Sequence, residues 1–234
     1  MDLIKSKFDI KGWTLLTNFL TPEEHEYYLD ICDHILLNRI QPSYKWALNS
    51  NGTINKLHGA CETVPAFRKL ASHPSLIRQA KSLLPFEEEM DIYISKFFPM
   101  QPKAISTLMH QDNYFFRGDP QKILSCAVYL QNTSTENGCL RVVEGSHLRG
   151  IFPHNIDEEG IAQWIDQREL TDYKIIELNL KAPYAVFFNI NLVHGCSMNM
   201  TDSTRYSLAW EYVNKTDNNL TVSAEKWCDR ISVL

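Results

Sequence analysis

The amino-acid sequence predicts an α+β, mainly β fold: antiparallel strands in a sandwich or barrel, preceded by a helical third. Two observations carry this. From Met90 onward, short runs rich in β-branched and aromatic residues alternate with turn residues, whereas before Met90 apolar residues recur at helical spacing. A chain of 234 residues, 44% hydrophobic and 22% charged, is long enough for a sizeable core. All-β barrels reach this size as one unit, so a single domain over 1–234 is expected, with 1–89 its mostly helical N-terminal part and 90–213 its β core.

Thr21-Pro22-Glu23-Glu24 is a capping box with proline at the first helical position. Tyr28, Ile31, Cys32 and Ile35 follow at helical spacing, which predicts an amphipathic helix over 21–37. Asn49-Ser50-Asn51-Gly52 reads as a polar loop. Two further helical stretches meet at His73-Pro74; in the second, Leu76, Ile77, Ala80, Leu83 and Leu84 share a face until Pro85 stops it. Strands are expected at 91–98, 123–130, 139–143, 175–180, 184–190 and 205–213, with one more helix over 157–170.

Composition excludes several function classes. The net charge is −5 and no long run of one sign occurs, which argues against nucleic acid as a partner. The longest stretch without Asp, Glu, Lys or Arg, 182–201, contains Pro183, Asn189, Asn191, His194 and Asn199, too polar for a bilayer. Residues 1–12 place Lys and Asp where a secretory peptide needs an apolar run, and the closing Ser232-Val233-Leu234 is not a peroxisomal Ser-Lys-Leu, so a cytosolic protein is expected. Cys32, Cys61, Cys126, Cys139, Cys196 and Cys228 show no Cys-x-x-Cys spacing and read as reduced thiols. Five Asn-x-Ser/Thr sequons, at Asn51, Asn132, Asn199, Asn214 and Asn219, then read as Asn/Thr-rich loops.

The residues that carry chemistry are His110 and Asp112, two apart at the end of 106–112. Extended backbone there would aim imidazole and carboxylate at one point. His194, just past the apolar strand 184–190, completes two histidines and one carboxylate, the facial set that non-haem Fe(II) oxygenases use because it leaves adjacent positions open. Arg205 follows by 11 residues with Ser207 on the same strand face; a guanidinium fork and a hydroxyl suit the distal carboxylate of 2-oxoglutarate. The same three ligands also suit a hydrolytic zinc site. A third reading is a non-catalytic barrel that binds a small molecule.

Together the residues resemble the phytanoyl-CoA dioxygenase (PhyH-like) family of Fe(II)/2-oxoglutarate-dependent oxygenases. His110-Gln111-Asp112, Asn137-Gly138-Cys139-Leu140, Glu144-Gly145-Ser146-His147, Val186-Phe187-Phe188, His194-Gly195, Asn199 and Arg205 carry the resemblance over about 90–213, and Gly12-Trp13 and Phe19-Leu20 extend it weakly into the N-terminal part. It implies a double-stranded β-helix, a jelly-roll, cupin-like barrel with the N-terminal helices packed outside. It also implies Fe(II) on His110, Asp112 and His194, 2-oxoglutarate as co-substrate held by Arg205 and Ser207, and O₂ with a small-molecule substrate. Succinate, CO₂ and a hydroxylated product would follow. Desaturation, cyclisation or epimerisation in natural-product biosynthesis would use the same ligands. Halogenases of this superfamily carry Gly or Ala at the carboxylate position, so Asp112 points to oxygenation.

Three departures stand out: Lys96 resembles the family's Lys-Pro-Pro segment, which bears on a cofactor role, but continues Phe97-Phe98-Pro99; Cys196-Ser197 follows His-Gly where the family often has Ser directly, and Val128 stands two residues beyond Cys126 where the phytanoyl-CoA enzyme has Trp, and these two bear on the substrate. Candidate substrate contacts are Tyr114, Phe115, Phe116 and Arg117 after the metal motif, and Lys45-Trp46 in the loop between the N-terminal helices. Of the other histidines, His25 and His34 are expected exposed on a helix, His73 at a helix boundary, and His147 in a structural turn.

Overall fold

The computed structural model describes residues 3–38, 45–87, 89–157, 163–217 and 230–234. Along the chain run α1 (Leu3–Lys11), β1 (Trp13–Thr17), α2 (Pro22–Leu37), β2 (Lys45–Leu48), β3 (Ile54–His58), α3 (Ala60–Thr63), α4 (Pro65–Ala71), α5 (Pro74–Leu83), β4 (Met90–Met100), β5 (Thr107–His110), α6 (Asp112–Phe116), β6 (Ile123–Tyr129), β7 (Leu140–Val143), β8 (Asn155–Ile156), β9 (Gln163–Trp164), β10 (Ile175–Glu177), β11 (Tyr184–Asn189), β12 (His194–Cys196), β13 (Arg205–Asn214) and β14 (Ile231–Ser232).

The capping box forms as its residues require. Thr21 Oγ1 accepts from the Glu24 N–H at 3.2 Å, and the Glu24 carboxylate accepts from the Thr21 N–H at 2.9 Å, so α2 starts with two orphan donors satisfied. Its apolar stripe, Tyr28, Cys32 and Ile35, is buried.

Every strand pair is antiparallel. An eight-stranded sheet runs β1-β11-β6-β13-β4-β3-β2, with β14 also on β4, and a four-stranded sheet runs β10-β7-β12-β5. This is a jelly roll. Strand alternation divides the larger sheet between two cores. From β6, Leu124, Cys126 and Val128 join Leu208, Trp210 and Tyr212 of β13 in a cluster roofed by α2, α4 and α5. The intervening Ala127 and Tyr129 face Leu140 and Val142 of the smaller sheet. The N-terminal helices therefore pack outside the barrel, and its interior lies between the sheets. No helix among the described residues is long and apolar enough to cross a membrane.

The structure differs from the sequence reading in four places. The helix expected over 157–170 is absent among the described residues there: β8 and β9 pair, and Gln167–Leu170 forms one 3₁₀ turn. The reason is local. Asp166 accepts from the Arg168 N–H at 2.9 Å, so the turn begins at 166 rather than 157, while the Ile165 N–H donates to Met109 O at 2.8 Å and draws this stretch against β5. Second, Asn49-Ser50-Asn51-Gly52 lies in the turn of the β2–β3 hairpin, so Lys45 and Trp46 stand on a strand and not in a loop. Third, α1 and β1 precede the first element expected, and β1 forms the sheet edge against β11. Fourth, His25 is half-buried, its Nε2 lying 2.5 Å from Leu130 O. The five described cysteines are free thiols; Cys228, the sequon at Asn219 and positions 158–162 of the expected helix lie outside the described residues.

Gly138 has φ +79°, and a Cβ there would fall on Met100 Sδ and 2.8 Å from Ser197 O. Left-handed backbone and close approach both demand glycine. Gly138→Ala is therefore expected to cost about 1–3 kcal/mol in a denaturant titration.

Candidate metal centre

The two histidines, 84 residues apart in sequence, are direct cross-strand partners: His194 on β12 is registered against His110 on β5. Opposed residues of an antiparallel pair share a face, so both imidazoles enter the barrel together, their ring centroids 4.5 Å apart. Gly195 allows the strands this approach, since a Cβ there would lie 2.6 Å from Thr107 O. After His110 the chain leaves the strand through extended Gln111 and turns into α6, which Asp112 opens. The turn is clamped by the Asn113 N–H donating to Ile190 O at 2.9 Å and by Asn113 Nδ2 donating to Asn191 Oδ1 at 2.7 Å. Asp112 Oδ1 thereby comes to 3.7 Å from His110 Nε2 and 3.8 Å from His194 Nε2.

All three candidate ligand atoms lie within 4.8 Å of one another. His110 Nδ1 sits 2.8 Å from Leu108 O and His194 Nδ1 3.0 Å from Leu192 O. A carbonyl only accepts, so each Nδ1 carries the proton and each Nε2 presents a lone pair inward. Burial and the neighbouring His194 push His110 down to about 3, against the pull of Asp112, which keeps that imidazole neutral. Burial works to raise the Asp112 carboxyl, but His194, Lys96, His110 and the hydrogen bond from Ser125 outweigh it and hold it below its ordinary value. Ser125 Oγ donates to Asp112 Oδ2 at 3.0 Å, leaving Oδ1 for the site. The residues present fit a divalent transition metal: two neutral imidazoles and one ionised, oriented carboxylate.

A second group lies further along the same interior face. Arg205 is buried, at 4% exposure, and every partner of its guanidinium is neutral. Nε donates to Asn137 O at 3.1 Å, Nη1 to Ser207 Oγ at 3.0 Å, and Nη2 points at Met100 Sδ, 2.9 Å away. The guanidinium carbon stands 5.1 Å from the Tyr129 ring centroid. No acidic side chain pairs with Arg205 among the described residues. Strand β6 joins the two groups, with Ser125 under Asp112 and Tyr129 under Arg205, about 13 Å apart at ~3.3 Å per residue. Asn199 braces this end by donating to Met100 O and Ser203 O, both at 2.8 Å. Lys96 donates to Glu211 Oε1 at 3.1 Å within the barrel.

The structure thus brings His110, Asp112 and His194 into one group and Arg205 with Ser207 into another. Tyr114 is half-buried and stacks on His154 with centroids 4.0 Å apart, and Phe115 meets the His110 ring edge-on at 6.2 Å. Phe116 is buried among Tyr93, Ile94, Ile123, Ile190 and Val213. Arg117 is exposed and ends α6 at φ +51°. Trp46 packs near Phe97, centroids 6.3 Å apart, on the helical side of the sheet, and Lys45 pairs with Glu62 at 3.5 Å. Neither Phe116 nor Trp46 is brought to the metal group. His34 is exposed, His73 caps α5 by accepting from the Ser75 N–H, and His147 lies 3.1 Å from Asp9 O, tying α1 to the barrel.

Sequence reasoning missed Ser125, Glu211 and His154, and gave Gln111 no role beyond its place in the His110-Gln111-Asp112 motif. For the first two a signal existed, because each is a polar residue inside an otherwise apolar strand. Gln111 gave none. Its Nε2 donates to Gly150 O at 2.8 Å and Asn191 O at 2.5 Å, its Oε1 accepts from the Phe152 N–H at 2.8 Å, and its own N–H donates to His154 Nε2 at 3.2 Å. That network fixes the residue between two of the candidate ligands.

Comparison with known proteins agrees with this geometry. The rice phytanoyl-CoA dioxygenase 1 (Oryza sativa subsp. japonica) is 24% identical over 76% of this chain and 63% of its own length. A probable phytanoyl-CoA dioxygenase of Caenorhabditis elegans is 30% identical over 45% of this chain and 36% of its own, and the human peroxisomal phytanoyl-CoA dioxygenase 27% identical over 45% and 33%. The chain spans from about a third to just under two thirds of the length of these curated relatives. Among solved structures, the α-ketoglutarate-dependent carbocyclase SnoK from nogalamycin biosynthesis superposes with a TM-score of 0.75 at 19% identity, covering 92% of this chain and 84% of that one. EctD from S. alaskensis with 2-oxoglutarate and 5-hydroxyectoine gives 0.74 at 23%, covering 90% and 74%. These establish the fold. The family model for phytanoyl-CoA dioxygenase (PhyH) matches residues 8–207, and the chain belongs to that family.

Proposed function

We propose that this chain is a cytosolic Fe(II)- and 2-oxoglutarate-dependent dioxygenase that hydroxylates an unactivated C–H bond of a small molecule. Substrate, 2-oxoglutarate and O₂ would be converted to hydroxylated product, succinate and CO₂. The observation that carries this reading is Arg205, a buried cation whose partners are all neutral, facing the same barrel interior as the His-Asp-His group. Burying a charge without a counter-ion costs several kcal/mol, so a fold that retains one there is built to receive an anion. The distal carboxylate of 2-oxoglutarate supplies it. A zinc hydrolase has no use for that cation, and a passive small-molecule barrel has no use for the oriented ligand set.

In this reading His110 Nε2, His194 Nε2 and Asp112 Oδ1 hold Fe(II), which with 2-oxoglutarate supplies the oxidising power that no side chain has. The chain's own residues do the rest. Leu108 O and Leu192 O fix the imidazole tautomers, and Ser125 leaves one carboxylate oxygen of Asp112 directed inward. Ser207 and Asn137 O hold the Arg205 fork in one orientation before the anion arrives, which lowers the cost of binding it. Buried Phe188, whose ring centroid lies 4.7 Å from that of His194, shields the centre from water.

An anaerobic titration of metal-free protein with Fe(II) and then 2-oxoglutarate is expected to give a visible metal-to-ligand charge-transfer band. Asp112→Ala should abolish it. Arg205→Ala should raise the 2-oxoglutarate Kd about 100-fold, with Arg205→Lys intermediate because an ammonium lacks the fork. No band from folded, metal-loaded wild type would overturn the reading. Ser125→Ala is expected to weaken Fe(II) binding about 10-fold, read by competition with a chelator, by freeing the Asp112 carboxylate to rotate.

A further inference from the structure

We propose that Met100 is a positioning residue for the co-substrate, its thioether holding the place of the distal carboxylate on Arg205 until that carboxylate arrives; this rests on the oxygenase reading above. Placement comes first. Met100 closes β4 and is registered directly against Arg205, which opens β13, so the two side chains share the interior face. The sulfur is set by its surroundings. Asn199 Nδ2 donates to Met100 O at 2.8 Å and fixes the backbone, while Gly138, lacking a Cβ, leaves the room that Met100 Sδ and Cε occupy. Sδ accordingly lies 2.9 Å from Arg205 Nη2, and Met100 is buried there, at 6% exposure.

The chemistry of the acceptor supplies the second argument. Arg205 Nε and Nη1 meet oxygens, Asn137 O and Ser207 Oγ, which hold the fork in place, whereas Nη2 meets a sulfur. The two kinds of partner differ in what their displacement costs. An oxygen pushed off a buried guanidinium is left without its donor and incurs the desolvation of a polar group, while a thioether is a weak acceptor whose release leaves nothing unsatisfied. Methionine is also unbranched and turns easily within a packed interior. Before the co-substrate binds, the sulfur spares Nη2 from being a buried donor without an acceptor. A carboxylate then replaces it, because a bond between two ionised groups is about twice as strong as one between neutral groups. Tyr129 meets the guanidinium through its ring, 5.1 Å from the guanidinium carbon, and leaves this exchange open. Asn137 O and Ser207 thus orient the fork, and Met100 keeps its outer donor both satisfied and available.

The test titrates the charge-transfer band of anaerobic, Fe(II)-loaded protein with 2-oxoglutarate and with 2-oxobutyrate, which lacks the distal carboxylate, in wild type, Met100→Leu and Met100→Gln. Leucine keeps the volume and removes the competing acceptor, so the 2-oxoglutarate Kd is expected to fall about 5-fold. Glutamine offers Nη2 an amide oxygen that the carboxylate must displace, and the Kd is expected to rise about 10-fold. 2-Oxobutyrate does not reach the fork and should bind all three proteins alike, which a loosened barrel or a disturbed metal centre would not allow. A 2-oxoglutarate Kd of Met100→Leu equal to or above that of wild type overturns the proposal, as does an equal shift for 2-oxobutyrate. Should Met100→Leu not fold, the glutamine variant decides, and a Kd at or below that of wild type overturns it. The oxygenase reading fails separately, by absence of the band in folded, metal-loaded wild type. A band whose 2-oxoglutarate dependence ignores position 100 removes this inference alone.

Discussion

The register between β5 and β12 is the constraint on which the rest of the site depends. Because side chains alternate along a strand, a slip of one residue would turn either histidine away from the barrel interior. The pairing of His194 with His110 is held from both sides, since β12 also pairs with β7, where His194 opposes Val142, a buried residue of the inner core. The apolar packing of the smaller sheet therefore positions the metal group. Asp112 depends on the same register by another route, because Gln111 ties the chain just after β5 to Asn191 O, three residues before His194. One hydrogen-bonded amide thus couples the two halves of the candidate ligand set.

The larger sheet separates stability from chemistry by face. Outward residues of β6 and β13, Cys126, Val128, Leu208, Trp210 and Tyr212, are fully buried under the helices. Their inward neighbours include Ser125, Arg205, Ser207 and Glu211, all buried and all polar. The inner face keeps its own apolar cluster of Ala127, Tyr129, Val186 and Phe188, and the helical layer, with Phe67, Leu70, Leu76 and Leu83 fully buried, adds outer-face burial at roughly 25 cal/mol per Å² of apolar area. The N-terminal third thus offsets part of the cost of the barrel's charged interior.

The sequence showed this division unevenly. Long periodic elements were readable: the 21–37 helix through its capping box and stripe, and β4, β6, β11 and β13 through their β-branched and aromatic runs. The triad was readable because a His-x-Asp and a later histidine with a following Arg form a recognisable set. Of the short elements, β7 and β10 were readable, but the first hairpin was not. Lys45–Leu48 and Ile54–His58 are four and five residues long and carry weak alternation, so the hairpin they form looked like a loop. The helix expected over 157–170 failed because residues at its end make tertiary contacts, Ile165 with Met109 O, that periodicity does not encode. The bracing role of Gln111 was invisible for the same reason: its three side-chain partners come from two distant segments.

A polar interior also explains why the candidate substrate residues sort as they do. Residues read as substrate contacts from sequence were mostly aromatic, and the structure places two of them, Phe116 and Trp46, in apolar clusters where aromatic burial stabilises the fold. The interior face carries polar and cationic positions, Ser125, Lys96, Arg205 and Ser207, beside the aromatic Phe188 and Tyr129. Aromatic side chains in a barrel of this size mark packing, because the core must be filled before a cavity can be shaped; an unpaired charge marks binding, because it adds nothing to packing and costs free energy until a ligand neutralises it. By that criterion Arg205 is a position of this barrel whose retention demands a ligand.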